Sequence, residues 1–211
     1  MTVQVRPDRD AMLDTGRAFL TERVAASNRS GEEYFDRYAH AIAACAAAMA
    51  DRFFAGGTLL VFGSGAHATD AQHNSVEFVH PVLPGCRALP ALSLTNDMAT
   101  VTGIMEGNAA VDVYAHQMRV LGRSGDIALA FAHAPAPPSI ARGLEAATGQ
   151  GMLTIALTAA GGDDGPTQAD YVFHVRGSDR SSAHELHLAT YHMLWELVHI
   201  VLNHRGIGDA S

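Results

Sequence analysis

The stretch Thr58–His80, "TLLVFGSGAHATDAQHNSVEFVH", decides how the chain is read. It opens on a short apolar, β-prone run, "TLLVF" at 58–62, which Gly63-Ser64-Gly65 interrupts. Past the glycines the pattern becomes helical through about residue 79. Strand, glycine turn and helix in that order make the βα unit of a parallel sheet. Glycine lets the backbone turn tightly, and the helix start offers unpaired N–H groups to an anion. The third glycine of a dinucleotide fingerprint is missing, since Ala68 stands in its place. No acidic residue closes the second strand, so a nicotinamide-dependent oxidoreductase is disfavoured. His73 and Glu77 lie four residues apart and share one helix face. Taken alone, the pair reads as a solvated face before it reads as half of a divalent-metal site.

The same alternation continues to the end of the chain. Strands are expected at 89–94, 126–131, 152–157 and 171–175, with helices between them and a long helix after the last. Short apolar strands alternating with helices imply crossover connections and a sheet covered on both faces. The fold class expected is α/β, a three-layer α/β/α sandwich on a five-stranded parallel sheet. Residues 1–55 read as a helical extension that packs on the domain and on a subunit interface, and 56–211 as the domain itself. Two helices are expected within the extension. The second is opened by a Ser30–Glu33 capping box and closed at Gly56-Gly57.

Composition narrows the function. The 211 residues are 48% hydrophobic and only 17% charged, which suggests apolar surface buried between subunits. Net charge is −8 with no Lys/Arg block, so no nucleic-acid footprint is present. No run of about 20 apolar residues is long enough for a bilayer, and the start lacks a secretory core. A cytoplasmic location follows as the expectation. Cys45 and Cys86 lack CxxC spacing and read as reduced thiols. Twelve histidines invite a metal or proton-transfer reading without proving it. The last helix carries His184, Glu185, His187, His192, His199 and His204. Of these, His184 and His192 fall on one slowly drifting stripe, with His187 and Glu185 on other faces.

With "LLVFGSGAHATDAQH", "LPALSLTND", "YAHQMRVLGRSGDIALAF", "GMLTIALTAAGG", "ADYVFHV" and "HELHLATYHMLWELV" in this order, the chain resembles the sugar isomerase (SIS) domain family. Within it the resemblance is to the phosphoheptose (sedoheptulose 7-phosphate) isomerases, over about residues 35–204. It implies a zinc site from a His and a Glu on the helix after the first strand, matched by His73 and Glu77. A Gln and a His on the last helix complete that site, and here they are matched by His184 and His192. Histidine is as good a zinc ligand as glutamine, or better. The implied chemistry moves a proton between C1 and C2 of a phosphosugar through an enediol, with Glu77 as base and His192 as acid. Ser64, Gly65, His67, Asn96, Asp97, His133 and Ser139 are the implied substrate contacts. A homo-oligomer, most simply a tetramer with its site at a subunit interface, is implied too.

The chain departs from this family at the phosphate loop. Where the family has a Ser/Thr-rich segment, the sequence reads Ala132-His133-Ala134-Pro135-Ala136-Pro137. The hydroxyls are gone and the prolines have no N–H to donate. His67 replaces a serine at the glycine turn, and Pro81 stands where a basic residue is expected. The metal half of the site is kept and the phosphate half altered. The alternative expectation is an SIS-fold module that binds a sugar phosphate or a partner without turnover.

Overall fold

The computed structural model describes residues 9–107, 110–133, 136–160, 168–176 and 180–206. The chain divides into two compact units, Met1–Arg37 and Tyr38–Ser211. In the first, the described residues are helical, with Met12, Leu13, Phe19, Leu20 and Val24 exposed. Tyr34 and Phe35 meet edge to face there at 5.0 Å.

Where two helices were expected, one runs unbroken as α1, Arg9–Phe54. The Ser30–Glu33 capping box is therefore not a cap. Gly31 costs about 1 kcal/mol inside a helix, but stopping and restarting would require a second nucleation. Gly56, at φ 89°, follows the helix end as expected.

The second unit carries the sheet, with β1 Leu59–Gly63, α2 Ala66–Val79, β2 Ala91–Ser93, α3 Met98–Glu106, a single 3₁₀ turn at Ala110–Asp112, α4 Val113–Leu121, β3 Ile127–His133, α5 Pro138–Gly149, β4 Leu153–Ala160, β5 Tyr171–Arg176 and α6 Arg180–His204. The five strands pair in the order β2-β1-β3-β4-β5, all parallel. Side chains alternate across the sheet. Leu60, Phe62, Ala128, Ala130 and Ala132 face a core shared with Val113, Tyr114 and Met118 of α4 and Ile140 and Leu144 of α5. Phe131, one residue out of phase, turns to the other face and meets Tyr191 of α6 edge to face at 5.6 Å. The carboxyl-terminal part of α1 contributes to the core, with Cys45, Ala46 and Met49 at 0% exposure. Both cysteines are free thiols, and burial pushes that of Cys45 up.

Carboxylates fasten the amino-terminal edge of the sheet. Asp126 accepts hydrogen bonds from the Thr58 N–H and the Arg123 N–H, each at 2.8 Å. Asp170 accepts from the Thr154 N–H at 2.8 Å and from its hydroxyl at 2.9 Å. The carboxyl ends of the strands are left for chemistry. Chain order reverses between β1 and β3, so the crevice of an open parallel sheet falls beyond Gly63 and His133.

Candidate functional site

The turn Gly63-Ser64-Gly65 delivers α2 to this crevice, and each glycine has its own reason. A Cβ on Gly63 would lie 2.5 Å from the His67 carbonyl oxygen. Gly65 sits at φ 62°, a conformation other residues avoid. Tyr114 donates from its hydroxyl to the Gly63 carbonyl at 2.5 Å and lies 3.3 Å from Ser64 Oγ. The turn is thereby pinned to α4.

Among the described residues, two groups of metal-type donors line the seam of α2 and α6. The first contains His73, Glu77 and His192. Glu77 Oε1 is 2.9 Å from His192 Nε2 and 3.4 Å from His73 Nε2. A tetrahedral ion with bonds of about 2.0–2.1 Å holds its ligand atoms roughly 3.3 Å apart, so this spacing fits one ion. Among the described residues, the buried Glu77 Oε2 and His192 Nε2 have no hydrogen-bond partner, although His192 Nε2 is so close to Oε1. Two facing acceptor-type atoms without an aligned proton suit a cation between them. Burial raises the Glu77 carboxyl, and nearby His73 only partly opposes it. Burial lowers the His192 imidazole against the pull of Glu196. Both helices are oriented by further contacts. Tyr191 Oη is 2.7 Å from His73 Nδ1, and the Trp195 indole donates to the Glu77 carbonyl at 3.0 Å.

The second group contains His67, Asp70 and His184. His184, expected beside His192, instead places Nε2 3.1 Å from Asp70 Oδ1. His67 Nδ1 is 3.0 Å from Asp70 Oδ2. Asp70 lies in the same sequence stretch as His73 and Glu77, yet sequence reasoning passed over it. Its spacing of three from His67 and seven from Glu77, all on one helix face, was the signal. His187, expected on another face, is fully buried and its ring lies 5.7 Å from that of His67. Burial pushes its imidazole down to about 4, so it is a neutral ring. Tyr191 was missed because a buried tyrosine reads as core. His199 is a satisfied core histidine between the Trp195 and Arg87 carbonyls.

The expected substrate contacts spread around the crevice. His133, at the end of β3, stacks at a tilt on His67 with ring centres 4.5 Å apart. Ser139 is half-buried in the first turn of α5, behind Pro137 and Pro138. Ala134 and Pro135 of the altered loop lie outside the described residues. Asp97 caps α3, accepting from the N–H groups of Ala99 and Thr100 and from the Thr100 hydroxyl. The Thr100 hydroxyl leads in holding its carboxyl below the usual range. Asn96 is exposed beside a cleft of about 570 Å³ that also touches Gln72 and His73. No helix among the described residues is long and apolar enough to cross a membrane.

The SIS domain family matches residues 24–159. A phosphoheptose isomerase of Thermodesulfovibrio yellowstonii is 33% identical over 176 residues, covering 83% of this chain and 88% of that protein. One from Halorhodospira halophila is 34% identical, covering 84% of this chain and 93% of its own. The solved phosphoheptose isomerase of Neisseria gonorrhoeae superposes with a TM-score of 0.72 at 26% identity, covering 85% of this chain and 98% of that one. With the family spanning most of the sheet and isomerases matching along nearly their whole length, the chain belongs to the SIS domain family and stands among its isomerases.

Proposed function

We propose that the chain is a metal-dependent aldose–ketose isomerase of the phosphoheptose isomerase type, acting on a sugar or sugar phosphate. The observation that carries this is Glu77 with the imidazoles of His73 and His192 converging on one of its oxygens. These three residues would hold a divalent ion, with zinc the best match to two imidazoles and a carboxylate. Such an ion supplies Lewis-acid stabilisation of charge developing on a sugar oxygen. His184, the fourth residue of the set first expected, would complete that site from α6, although here its Nε2 lies 3.1 Å from Asp70 Oδ1.

The protein's own groups divide the proton work. Oε1 of Glu77 faces the imidazoles, and Oε2 has no hydrogen-bond partner among the described residues. With Oε1 turned to the imidazoles, Oε2 would be the oxygen that abstracts the C2 proton. Burial raises the Glu77 carboxyl, which makes it a better base than an exposed glutamate. His192 then handles protons on the sugar oxygens. Ser64, Gly65, Asn96 and Asp97 border the crevice after β1 and β2, His67 from α2, and His133 and Ser139 from β3 and α5, as the substrate contacts.

We extend the reading to a cytoplasmic homotetramer whose neighbouring subunit closes the site. Val76 and Val79 support this, because they lie exposed along the cleft that His73 also lines. A second reading, binding without turnover, draws on the start of α5, where Pro137 caps without a side-chain hydrogen bond and Pro138 follows. One experiment separates them. Sugars, phosphorylated and free, are followed by NMR in deuterated water with metal-loaded protein. Exchange of a C2 proton is expected for at least one sugar, and Glu77→Gln should slow it by about 10²–10⁴-fold. No exchange with any member of the panel would leave the binding reading standing, and a Glu77→Gln variant as fast as wild type would remove Glu77 as the base.

A further inference from the structure

We infer that His67 selects a sugar whose end remote from the carbonyl carries hydroxyl groups in place of a phosphate. This deepens the isomerase reading and rests on it. His67 is 4% exposed, and its Nδ1 lies 3.0 Å from Asp70 Oδ2. A carboxylate only accepts, so Nδ1 carries the ring proton and Nε2 keeps a lone pair. Nε2 is buried and has no hydrogen-bond partner among the described residues. A buried acceptor is normally satisfied, and the group that satisfies this one must donate a proton. A hydroxyl can do so. A phosphate dianion presents acceptor oxygens and would meet the lone pair with repulsion.

The surroundings of the ring suit the same ligand. His133, half-buried at the end of β3, has its ring centre 4.5 Å from that of His67, and the ring of His187 is 5.7 Å away. Burial keeps His187 neutral. A neutral imidazole has one donor and one acceptor, which a hydroxyl matches on both counts. His67 precedes Glu77 by ten residues, nearly three turns of α2. It therefore stands apart from proton transfer at C1 and C2 and reads the other end of the sugar.

Groups that would hold a phosphate are engaged elsewhere or lacking. β1, α2 and β3 carry no Lys or Arg, and the chain has no Lys at all. Arg142 of α5 is paired with Asp112 at 2.6 Å. At the start of α2 the N–H groups of His67 and Ala68 turn back to the Ser64 and Gly65 carbonyls, at 3.3 and 3.0 Å. At the start of α5 those of Ile140 and Ala141 both go to the Pro137 carbonyl, and Pro138 has none. Tyr114 gives its proton to the Gly63 carbonyl, so the Ser64 hydroxyl 3.3 Å away gives its own to Tyr114. A dianion here would lack the charged donors that bind phosphate well.

The test measures preference on the full-length, metal-loaded chain. Matched pairs of five-, six- and seven-carbon aldoses and ketoses, free and terminally phosphorylated, are titrated by calorimetry, with inorganic phosphate as a competitor. Wild type should bind at least one free sugar about tenfold or more tighter than its phosphorylated twin, and inorganic phosphate should not compete. His67→Phe keeps a ring and removes the acceptor. It should weaken the free sugar by about tenfold, as loss of one hydrogen bond does, and leave the phosphorylated twin within about twofold. Asp70→Asn lets an amide donate to Nδ1 and moves the ring proton to Nε2, so it should narrow or reverse the preference. Elemental analysis checks metal loading of each variant and circular dichroism its folding. If His67→Phe does not fold, the wild-type preference decides. A phosphorylated sugar bound as tightly as its free twin, competition by inorganic phosphate, or binding of no sugar would overturn the inference. So would a His67→Phe variant that weakens both twins equally. The isomerase reading fails differently, when a free sugar binds but exchanges no C2 proton.

Discussion

Tyr191→Phe is the smallest change that tests the metal reading. The mutation removes one oxygen, which lies 2.7 Å from His73 Nδ1. Burial, helped by the charges of Asp70 and Glu77, pushes the phenol up, so Tyr191 acts as a neutral group. With His73 Nε2 directed at Glu77, Nδ1 is the nitrogen left to carry the ring proton and donate it to Tyr191 Oη. That bond sets both the tautomer and the angle of the ring. Phenylalanine keeps the edge-to-face contacts with His73 and Phe131, both at 5.6 Å. Removing an outer-shell partner of this kind lowers metal affinity by about 10–100-fold. The His73 side chain is 45% exposed, so water replaces part of the bond and the lower end applies. About tenfold weaker binding is expected, equal to about 1.4 kcal/mol. The assay is a competition titration of zinc against a chromophoric chelator, with urea unfolding of the metal-free protein as a control that should move by no more than about 1.5 kcal/mol, the net worth of one hydrogen bond. Affinity within twofold of wild type would show that Tyr191 does not orient the ligand. A collapse of the metal-free fold would show that it is a packing residue instead.

Two further outcomes rest on other parts of the molecule. His187 titrates at about 4 when folded against 6.5 when exposed, because burial disfavours the charged ring. The unfolded chain therefore takes the proton first as pH falls, so stability is complete above about 6.5 and declines by about 3 kcal/mol toward pH 4. Urea melts of chelated protein across this window should fall more steeply for wild type than for His187→Leu, and equal slopes would refute the assignment. Gly143→Ala would set a new Cβ 2.6 Å from Phe62 Cε2 and 3.1 Å from Tyr114 Cβ. Overpacking there should destabilise by about 1–3 kcal/mol in denaturant, and an unchanged midpoint would show that α5 can shift away from β1.

What the sequence disclosed follows from what its periodicities encode. The apolar runs beginning at Leu59, Ile127 and Leu153 mark strands buried on both faces and that at Tyr171 a half-buried edge strand, and the structure starts each within one residue of expectation. The capping pattern at Ser30 failed because local preference is weak beside the cost of restarting a helix. At the site, four-residue spacing was enough to pair His73 with Glu77, since both project from one helix face. The eight residues between His184 and His192 fix a stripe but not a rotamer. His184 turns to Asp70, a carboxylate on another helix whose position only the tertiary fold reveals. His187 escaped notice for the opposite reason, because nothing in its spacing separates a buried ring from a solvated one.

The carboxylate fasteners Asp126 and Asp170 sit at the amino-terminal edge of the sheet, away from the crevice at its other end. Folding and chemistry are therefore written on opposite margins of the same strands. A lineage carrying this scaffold is free to exchange serine for histidine at position 67, or hydroxyls for prolines after β3, without loosening the strands beneath. Divergence of substrate can then outrun divergence of architecture, and the crevice becomes the natural place to direct a mutational library while the amino edge is held constant.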